Sequence, residues 1–250
     1  MGVIIAGIIS SNGQSNYIIP VQTINPCKLI ESDGSCKDTT VSSFEISEFI
    51  TYGEYKIYLN AVKKDSSQKY YLTQLPDSNI SSNSGVYSQY VNSTKFDNYP
   101  VLGISWDNAM NFCRWKTFQE NPIDSLQFIY RLPSLIEWLS TYTYLNSTHA
   151  KVEINNLYSD WLLNSKMEYD YNFPHTTYFH KAKDAPVIKR KMVIGSSFLF
   201  QRKKFIDYFF SYYATEGYRQ ISFRIVKQPI NMTDKHSLGK EIIKYWGLLK

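Results

Sequence analysis

Histidine and cysteine, the side chains that most often bind catalytic metals, are scarce in this sequence. The chain has four histidines and three cysteines among 250 residues. The histidines are His149, His175, His180 and His236, and no pair has H-x-x-x-H, H-E-x-x-H or H-x-E spacing. CxxC pairs, phosphate-binding loops, dinucleotide-binding fingerprints and G-x-S-x-G elbows are also missing. The sequence therefore predicts no metal site, no cofactor and none of the common hydrolase or nucleotide-binding chemistries.

A hydrophobic run long enough to cross a membrane is missing as well. The apolar run at 3–9 is far shorter than the roughly 20 residues that a membrane-spanning helix needs. Small polar residues follow it up to Ser15, as in the cleavage region of a secretory signal, although a basic start is absent. We interpret residues 1–15 as a signal-like segment and expect an exported protein without a transmembrane span. A buried first strand is the alternative.

Charge and cysteine give few further constraints. The formal net charge is +5, and the basic residues crowd into 181–204, a pattern typical of a solvated loop. No nucleic-acid-binding motif accompanies them, so we expect no nucleic-acid partner. Cys27 and Cys36 lie in a polar loop and can pair in an oxidising compartment, where a disulfide would be worth about 2–3 kcal/mol. Cys113 lies in a helical pattern and is predicted to be a buried core thiol.

Aromatic residues are abundant at 16% of the chain, with 21 tyrosines and 14 phenylalanines. Tyrosine is amphipathic and suits half-buried loops and interfaces. Three helix starts are predicted from local signals. Thr51 and Glu54 form a capping box, Ser134 and Glu137 form another, and Ser105 precedes a third amphipathic run.

The remaining elements are predicted to be short or irregular. Strands are predicted at 44–47, 99–104, 194–200 and 221–226, and a weak helix is predicted at 240–249. Residues 76–98, rich in Asn, Ser, Asp and Tyr, are predicted to form a long surface loop. We expect an irregular lead-in at 16–43, one domain at 44–228 and a tail at 229–250. Short capped helices with brief strands indicate an irregular α+β fold.

Several segments, taken in order, resemble the motifs of the formylglycine-generating-enzyme (sulfatase-modifying factor) family. Residues 100–115, PVLGISWDNAMNFCRW, match the family pattern PVxGVSWxxAxxFCxW nearly throughout. The others are 49–55 for EVTNGEY, 130–138 for YRLPTEAEW, 157–161 for NVWEW, 194–198 for RGGSW and 222–226 for GFRVV. The resemblance covers about residues 43–228. It implies an irregular, loop-rich α+β fold related to C-type lectins, with short helices and small antiparallel sheets.

The residues retained in these motifs have structural interpretations. Helix caps are expected at Thr51, Glu54, Ser134 and Glu137, core fillers at Trp106, Trp115 and Trp138, and buried hydrogen-bonding arginines at Arg131 and Arg224. These roles need no catalysis.

The resemblance also implies a copper-dependent oxidation that this chain is not expected to perform. The family's enzymes bind copper through two cysteines after the GGS strand, because thiolates suit Cu(I). The matching positions fall near Phe200 and Phe205, and no cysteine follows Cys113. We therefore expect no catalytic residue. The former substrate cleft would lie around Ser197, Phe200 and Phe205, between the 76–98 segment and the strands after 194, lined by aromatic and basic side chains.

Three functions follow as hypotheses. The resemblance favours a non-catalytic scaffold that binds a protein partner in a bacterial envelope complex, of the gliding-motility or type IX secretion kind. Such a protein would lie in the periplasm, at the outer membrane or on the cell surface. The alternative is a module that binds a peptide or glycan in the former cleft, and an enzyme of unrecognised mechanism comes third. An exposed apolar patch outside the cleft would favour the scaffold, whereas a deep aromatic cleft would favour the binding module.

Overall fold

The computed structural model describes residues 8–9, 15–25, 38–121, 125–148, 158–165, 190–195, 210–230 and 238–247. Within these ranges the helices are α1 (Tyr52–Asp65), α2 (Gln68–Gln74), α3 (Ser84–Asn92), α4 (Trp106–Glu120), α5 (Leu135–Ser147) and α6 (Leu238–Tyr245). The strands are β1 (Ile8–Ile9), β2 (Ser15–Ile19), β3 (Gln22–Ile24), β4 (Thr39–Val41), β5 (Phe44–Ser47), β6 (Phe128–Arg131), β7 (Ser159–Ser165), β8 (Arg190–Ile194), β9 (Phe210–Tyr213), β10 (Ile221–Ser222) and β11 (Val226–Pro229). The α+β class predicted from the sequence is confirmed.

The helices begin where the local signals place them. At α1 the Thr51 hydroxyl accepts from the Glu54 N–H while the Glu54 carboxylate accepts from the Thr51 N–H, which completes a capping box. Ser134 and Glu137 form the same reciprocal pair at α5. The Ser105 hydroxyl accepts a backbone N–H from the first turn of α4. The three predicted helix starts are therefore confirmed.

The strands assemble into three small sheets. The largest has the order β1-β2-β5-β11-β6 with antiparallel neighbours, and β3 pairs with β4 in a separate ribbon. The third sheet has the order β10-β7-β8-β9, in which β10 and β7 run parallel. That pair departs from the antiparallel sheets implied by the resemblance. Parallel pairing of β7 and β10 is possible because the chain between them is long enough for the crossover connection that parallel neighbours require.

The main core joins α1, α4 and the sheets through aromatic side chains. The Trp106 indole N–H donates to the Leu162 carbonyl and the Trp161 indole N–H donates to the Ile104 carbonyl, both at 2.8 Å. This reciprocal pair ties the start of α4 to β7. Cys113 is fully buried in the same cluster, as predicted.

The 76–98 segment differs most from the sequence prediction. The sequence predicts a loop there, but the segment contains α3 and two single-turn 3₁₀ helices, Ser78–Ile80 and Thr94–Phe96. Asn83 caps α3 by accepting two backbone N–H groups of its first turn. The polar composition is misleading, because several of these Ser and Asn residues are helix caps or outward-facing helical positions.

Strand boundaries account for the remaining differences. Residues 99–104 form no strand and contribute one isolated bridge between Pro100 and Thr51. The lead-in at 16–43 is not irregular throughout, because it supplies most of β2 and all of β3 and β4. The run predicted at 221–226 divides into β10 and the start of β11. Of the strand predicted at 194–200, Ile194 ends β8, and residues 196–200 lie outside the described residues. The helix predicted at 240–249 is observed as α6.

The start of the chain has a partial place in the main sheet. Ile8 and Ile9 form β1 and pair with Asn16 and Ser15 of β2. The rest of the 1–15 segment, apart from Ser15, lies outside the described residues, so the signal-like interpretation stays a prediction. Among the described residues, no helix is both long and apolar enough to cross a membrane.

Candidate functional site

The two capping-box glutamates lie in different electrostatic surroundings. Glu54 hydrogen-bonds to Thr51, and burial raises the pKa of its carboxyl group despite those bonds. Glu137 also receives two hydrogen bonds from the Arg131 guanidinium, at 2.6 and 2.7 Å. Burial alone would raise the pKa of Glu137, but Arg131 and the Ser134 hydrogen bonds outweigh it and hold the pKa below its usual value. The predicted Arg131 role is confirmed as that of a buried, bidentate ion pair.

Arg224 makes the second buried ion pair. Its Nε donates to Asp160 Oδ2 at 3.2 Å, and the Trp138 indole N–H donates to the same oxygen at 2.8 Å. The Arg224 guanidinium also lies 4.1 Å from the centre of the Phe49 ring. Burial raises the pKa of Asp160 more than Arg224 and Trp138 lower it. The pair joins β7 to the segment before β11.

The three predicted core tryptophans are not equivalent. Trp106 and Trp138 are buried, at 2% and 3% exposure, and both indole N–H groups are hydrogen-bonded. Trp115 is half-buried against Tyr58 and Phe112, and its indole N–H has no partner among the described residues. All three have packing roles, and the structure does not gather the predicted motif residues into one reactive site.

The other candidate positions from the sequence fall outside the described residues. These are the cleft residues Ser197, Phe200 and Phe205, the cysteines Cys27 and Cys36, and the four histidines. Their predicted roles therefore stay predictions.

A cleft of about 320 Å³ lies between the 76–98 segment and the approaches to β7 and β10. Aromatic rings of Tyr87, Tyr90, Phe96 and Tyr158 form much of its lining. Aliphatic side chains of Ile80, Val86 and Leu102 complete the apolar part, and Ser81 and Arg219 supply the polar groups. The volume and the mainly apolar lining are those of a small-ligand pocket.

Two of these tyrosines hydrogen-bond through their hydroxyl groups to backbone groups of neighbouring segments. The Tyr87 hydroxyl donates to the Pro76 carbonyl at 2.8 Å, and the Tyr90 hydroxyl accepts the Leu102 N–H at 2.9 Å. Tyr90 also stacks on Tyr52 with ring centres 4.5 Å apart. The rings are thus held in place before any ligand arrives, and preorganisation of this kind lowers the entropic cost of binding.

The cleft has little charge. Burial raises the pKa values of Tyr87, Tyr90 and Tyr158, so these phenols are neutral at physiological pH. No acidic residue lines the cleft in the described part of the chain, and Arg219 is the basic residue there. The observed lining is aromatic and aliphatic, with this one arginine.

The sequence contained a signal for this cleft that its polar composition obscured. Tyr87, Tyr90 and Val91 have the i, i+3, i+4 spacing of a helix face, and Asn83 precedes them as a favourable N-cap. Recognising α3 would have placed two tyrosines on one buried face. It would not have identified Tyr158 or Arg219, which reach the cleft from elsewhere in the chain.

A second hollow of about 400 Å³ lies beside Arg131 and Glu137 and extends to β4 and α6. Arg131 and Glu137 bind one another, and the Arg131 Nε also donates to Gln228. This ion pair serves the fold, which makes the tyrosine-lined cleft the better candidate.

The copper site implied by the resemblance does not fit the residues that the structure describes. Cys113 is the cysteine that the described part of the chain contains, and it is fully buried. Burial also raises the pKa of its thiol, so the thiolate that copper requires is disfavoured. No group of three or more His, Cys, Asp or Glu residues suited to a metal ion occurs among the described residues.

Comparisons with known proteins point to one fold. The family model described as sulfatase-modifying factor enzyme 1-like domain matches residues 21–149, just over half of the chain. The crystal structure of CarF is similar at a TM-score of 0.54 and 14% identity, over 90% of this chain and 100% of that chain. The structure of PvdO from Pseudomonas aeruginosa is similar at a TM-score of 0.56 and 11% identity, over 88% and 96%. No curated protein matches significantly. At identities of 14% and 11%, the similarity to these structures shows the fold alone.

Proposed function

We propose that this chain, which belongs to the sulfatase-modifying factor enzyme 1-like domain family, is a non-catalytic member that acts by binding at the tyrosine-lined cleft. The observation that carries the proposal is the cleft itself: about 320 Å³, mainly apolar, with its tyrosines held by the wall. Apolar, aromatic-lined clefts of this volume are typical of ligand sites. This geometry favours the peptide- or glycan-binding hypothesis over the others.

The loss of catalysis is supported by the sequence and by the cysteine that remains. The sequence has phenylalanine near the two copper-ligand positions, at Phe200 and Phe205, and no cysteine after Cys113. A buried Cys113 with a raised pKa is a poor replacement ligand. We expect a cysteine-containing sulfatase peptide to stay unchanged when it is incubated with the protein, Cu(I) and oxygen. Formation of the aldehyde above the protein-free rate, detected by mass spectrometry, would contradict the proposal.

A scaffold role in an envelope complex is the second candidate. Its support is the resemblance of residues 100–115 to non-catalytic envelope members of gliding-motility and type IX secretion systems, together with the signal-like segment at 1–15. In this version the protein is exported and the cleft holds part of a partner protein. Both versions use the same binding site, so one pair of variants tests both.

The test blocks the cleft and compares a matched control. Val86 lines the cleft at the start of α3 and is 50% exposed, whereas Ile57 lies on α1 away from it and is 52% exposed. We expect Val86→Trp to abolish capture of a partner or ligand by the tagged protein from its native cells. Ile57→Trp should capture as the wild type does. Equal capture by both variants would show that the cleft is not the binding site.

A further inference from the structure

The outer face of α3 adjoins the tyrosine-lined cleft. It forms a shallow groove, open to solvent, that runs past Asn83, Ser88, Gln89 and Asn92. Val86 lines both this groove and the cleft. The two hollows therefore meet at the start of α3, and one ligand can extend from the cleft into the groove.

The groove carries no charge of its own. Residues 78–94 contain no Asp, Glu, Lys or Arg, although charged residues make up 20% of the chain. The groove presents amides and hydroxyls instead. The Gln89 side chain makes no hydrogen bond within the described part of the chain. The Asn83 side-chain oxygen caps the helix, and the N–H groups of its amide make no hydrogen bond within the described part of the chain. A side-chain amide offers both donors and an acceptor, which suits a ligand that also has both.

We propose that the cleft and the groove together bind a neutral glycan, with one sugar against the tyrosine rings and the following sugars along the amides of α3. The proposal rests on the cleft being the binding site and names its ligand class. Sugar rings have apolar C–H faces that pack on aromatic rings, and their hydroxyl groups both donate and accept hydrogen bonds. The cleft supplies the first kind of contact and the groove supplies the second.

The same geometry disfavours a peptide added as a β-strand, an amphipathic helix and an acidic polymer. An extended peptide bound through its backbone needs the open edge of a sheet, whereas the groove is formed by a helix. An amphipathic helix needs an apolar groove, whereas this one is lined by Asn, Ser and Gln side chains around Val86. An acidic polymer needs a cluster of basic residues, and the lining of the two hollows contributes Arg219.

The test measures binding of the full chain to hexasaccharides of neutral sugars (maltohexaose, cellohexaose, xylohexaose and chitohexaose). Binding is measured by titration calorimetry and NMR. An alginate hexasaccharide and a proline-rich decapeptide serve as charged and peptide comparisons. We expect at least one neutral hexasaccharide to bind and Val86→Trp to abolish that binding, while Ile57→Trp does not. Gln89→Ala should weaken binding by about 2- to 12-fold, the loss of one neutral hydrogen bond. Asn60→Ala, an exposed amide on α1, should leave the affinity unchanged.

The outcomes separate this inference from the proposed function. If only the peptide binds, and Val86→Trp blocks it, the glycan proposal is overturned and the cleft stands as a binding site. Tighter binding of alginate than of any neutral hexasaccharide also overturns it. If a neutral hexasaccharide binds equally well to Val86→Trp, both the glycan assignment and the cleft are wrong. If Gln89→Ala and Asn60→Ala lowered the affinity equally, α3 would not be part of the binding site.

Discussion

Substituting the two capping-box glutamates separates the contribution of a buried ion pair to the free energy of unfolding from that of a helix cap. Glu137 and Glu54 occupy the same position in the first turns of α5 and α1. Glu137→Gln keeps the shape, and glutamine still serves in a capping box. The substitution removes the charge opposite Arg131, whose side chain is only 5% exposed. The guanidinium would then be buried without a counter-charge.

The expected loss is large compared with the stability of a typical domain. Removing one partner of a buried pair costs about 3–5 kcal/mol, whereas whole domains are stable by about 5–15 kcal/mol. For a chain of this size the urea m-value should lie near about 3 kcal/mol/M, so the midpoint should fall by about 1–1.7 M. Glu54→Gln is the matched control, because Glu54 bonds Thr51 rather than an arginine. It should cost at most about 1 kcal/mol.

The dependence on pH distinguishes the two carboxyl groups further. The folded pKa of Glu137 lies below its ordinary value of 4.5. Its contribution is therefore complete above that value and is lost as the pH falls through the folded pKa. For Glu54 the folded pKa is raised, so its contribution is present in acid and declines as the pH rises.

Urea unfolding followed by tryptophan fluorescence, at neutral and acid pH, measures these differences. The gap between wild type and Glu137→Gln should be constant at neutral pH and should shrink in acid. Equal losses for both glutamates, or a Glu137→Gln loss below about 1 kcal/mol at neutral pH, would refute the ion-pair argument.

Three further predictions concern the Ser134 helix cap, the buried Gln74 side chain and the Cys113 thiol. Ser134→Ala should lower the free energy of unfolding by about 0.5–2 kcal/mol, and an unchanged midpoint would argue against this cap. Gln74→Leu should cost about 1–3 kcal/mol in the same assay. The reason is that the Gln74 oxygen accepts from the Tyr58 hydroxyl and the Asn111 amide, at 2.7 and 3.2 Å, and a stable variant would contradict this role. Cys113 should react with a thiol reagent only after unfolding, as peptide mapping would show; rapid native labelling would contradict its burial.

The helix starts were predictable because their determinants are local. A capping box needs two residues three positions apart, and Thr51–Glu54 and Ser134–Glu137 are legible in the sequence for that reason. The family motifs added the order of the segments and the fold class. Burial of Cys113 followed from its place in a helical pattern. In these cases the stabilising contact lies within one or two turns of the residue itself.

Contacts between distant segments could not be predicted in the same way. The sequence suggested that Arg224 binds a buried acceptor, and only the fold brought Asp160 of β7 beside it. β11 pairs with β5 and β6, which lie far from it in the chain, and no local pattern specifies that order. The lead-in was predicted to be irregular because β2 is stabilised by its partner β5, not by its own sequence.

The candidate site shows the same division. By itself the sequence determined the family, the absence of cysteine after Cys113 and the abundance of tyrosine. Tertiary structure alone brought Tyr87 and Tyr90 of α3 together with Tyr158 and Arg219, and opened a groove on the outer face of the same helix. A cleft is the space left between packed elements, and its shape depends on contacts among all of them. No single segment of the sequence encodes that space, whereas each helix cap is encoded by its own few residues.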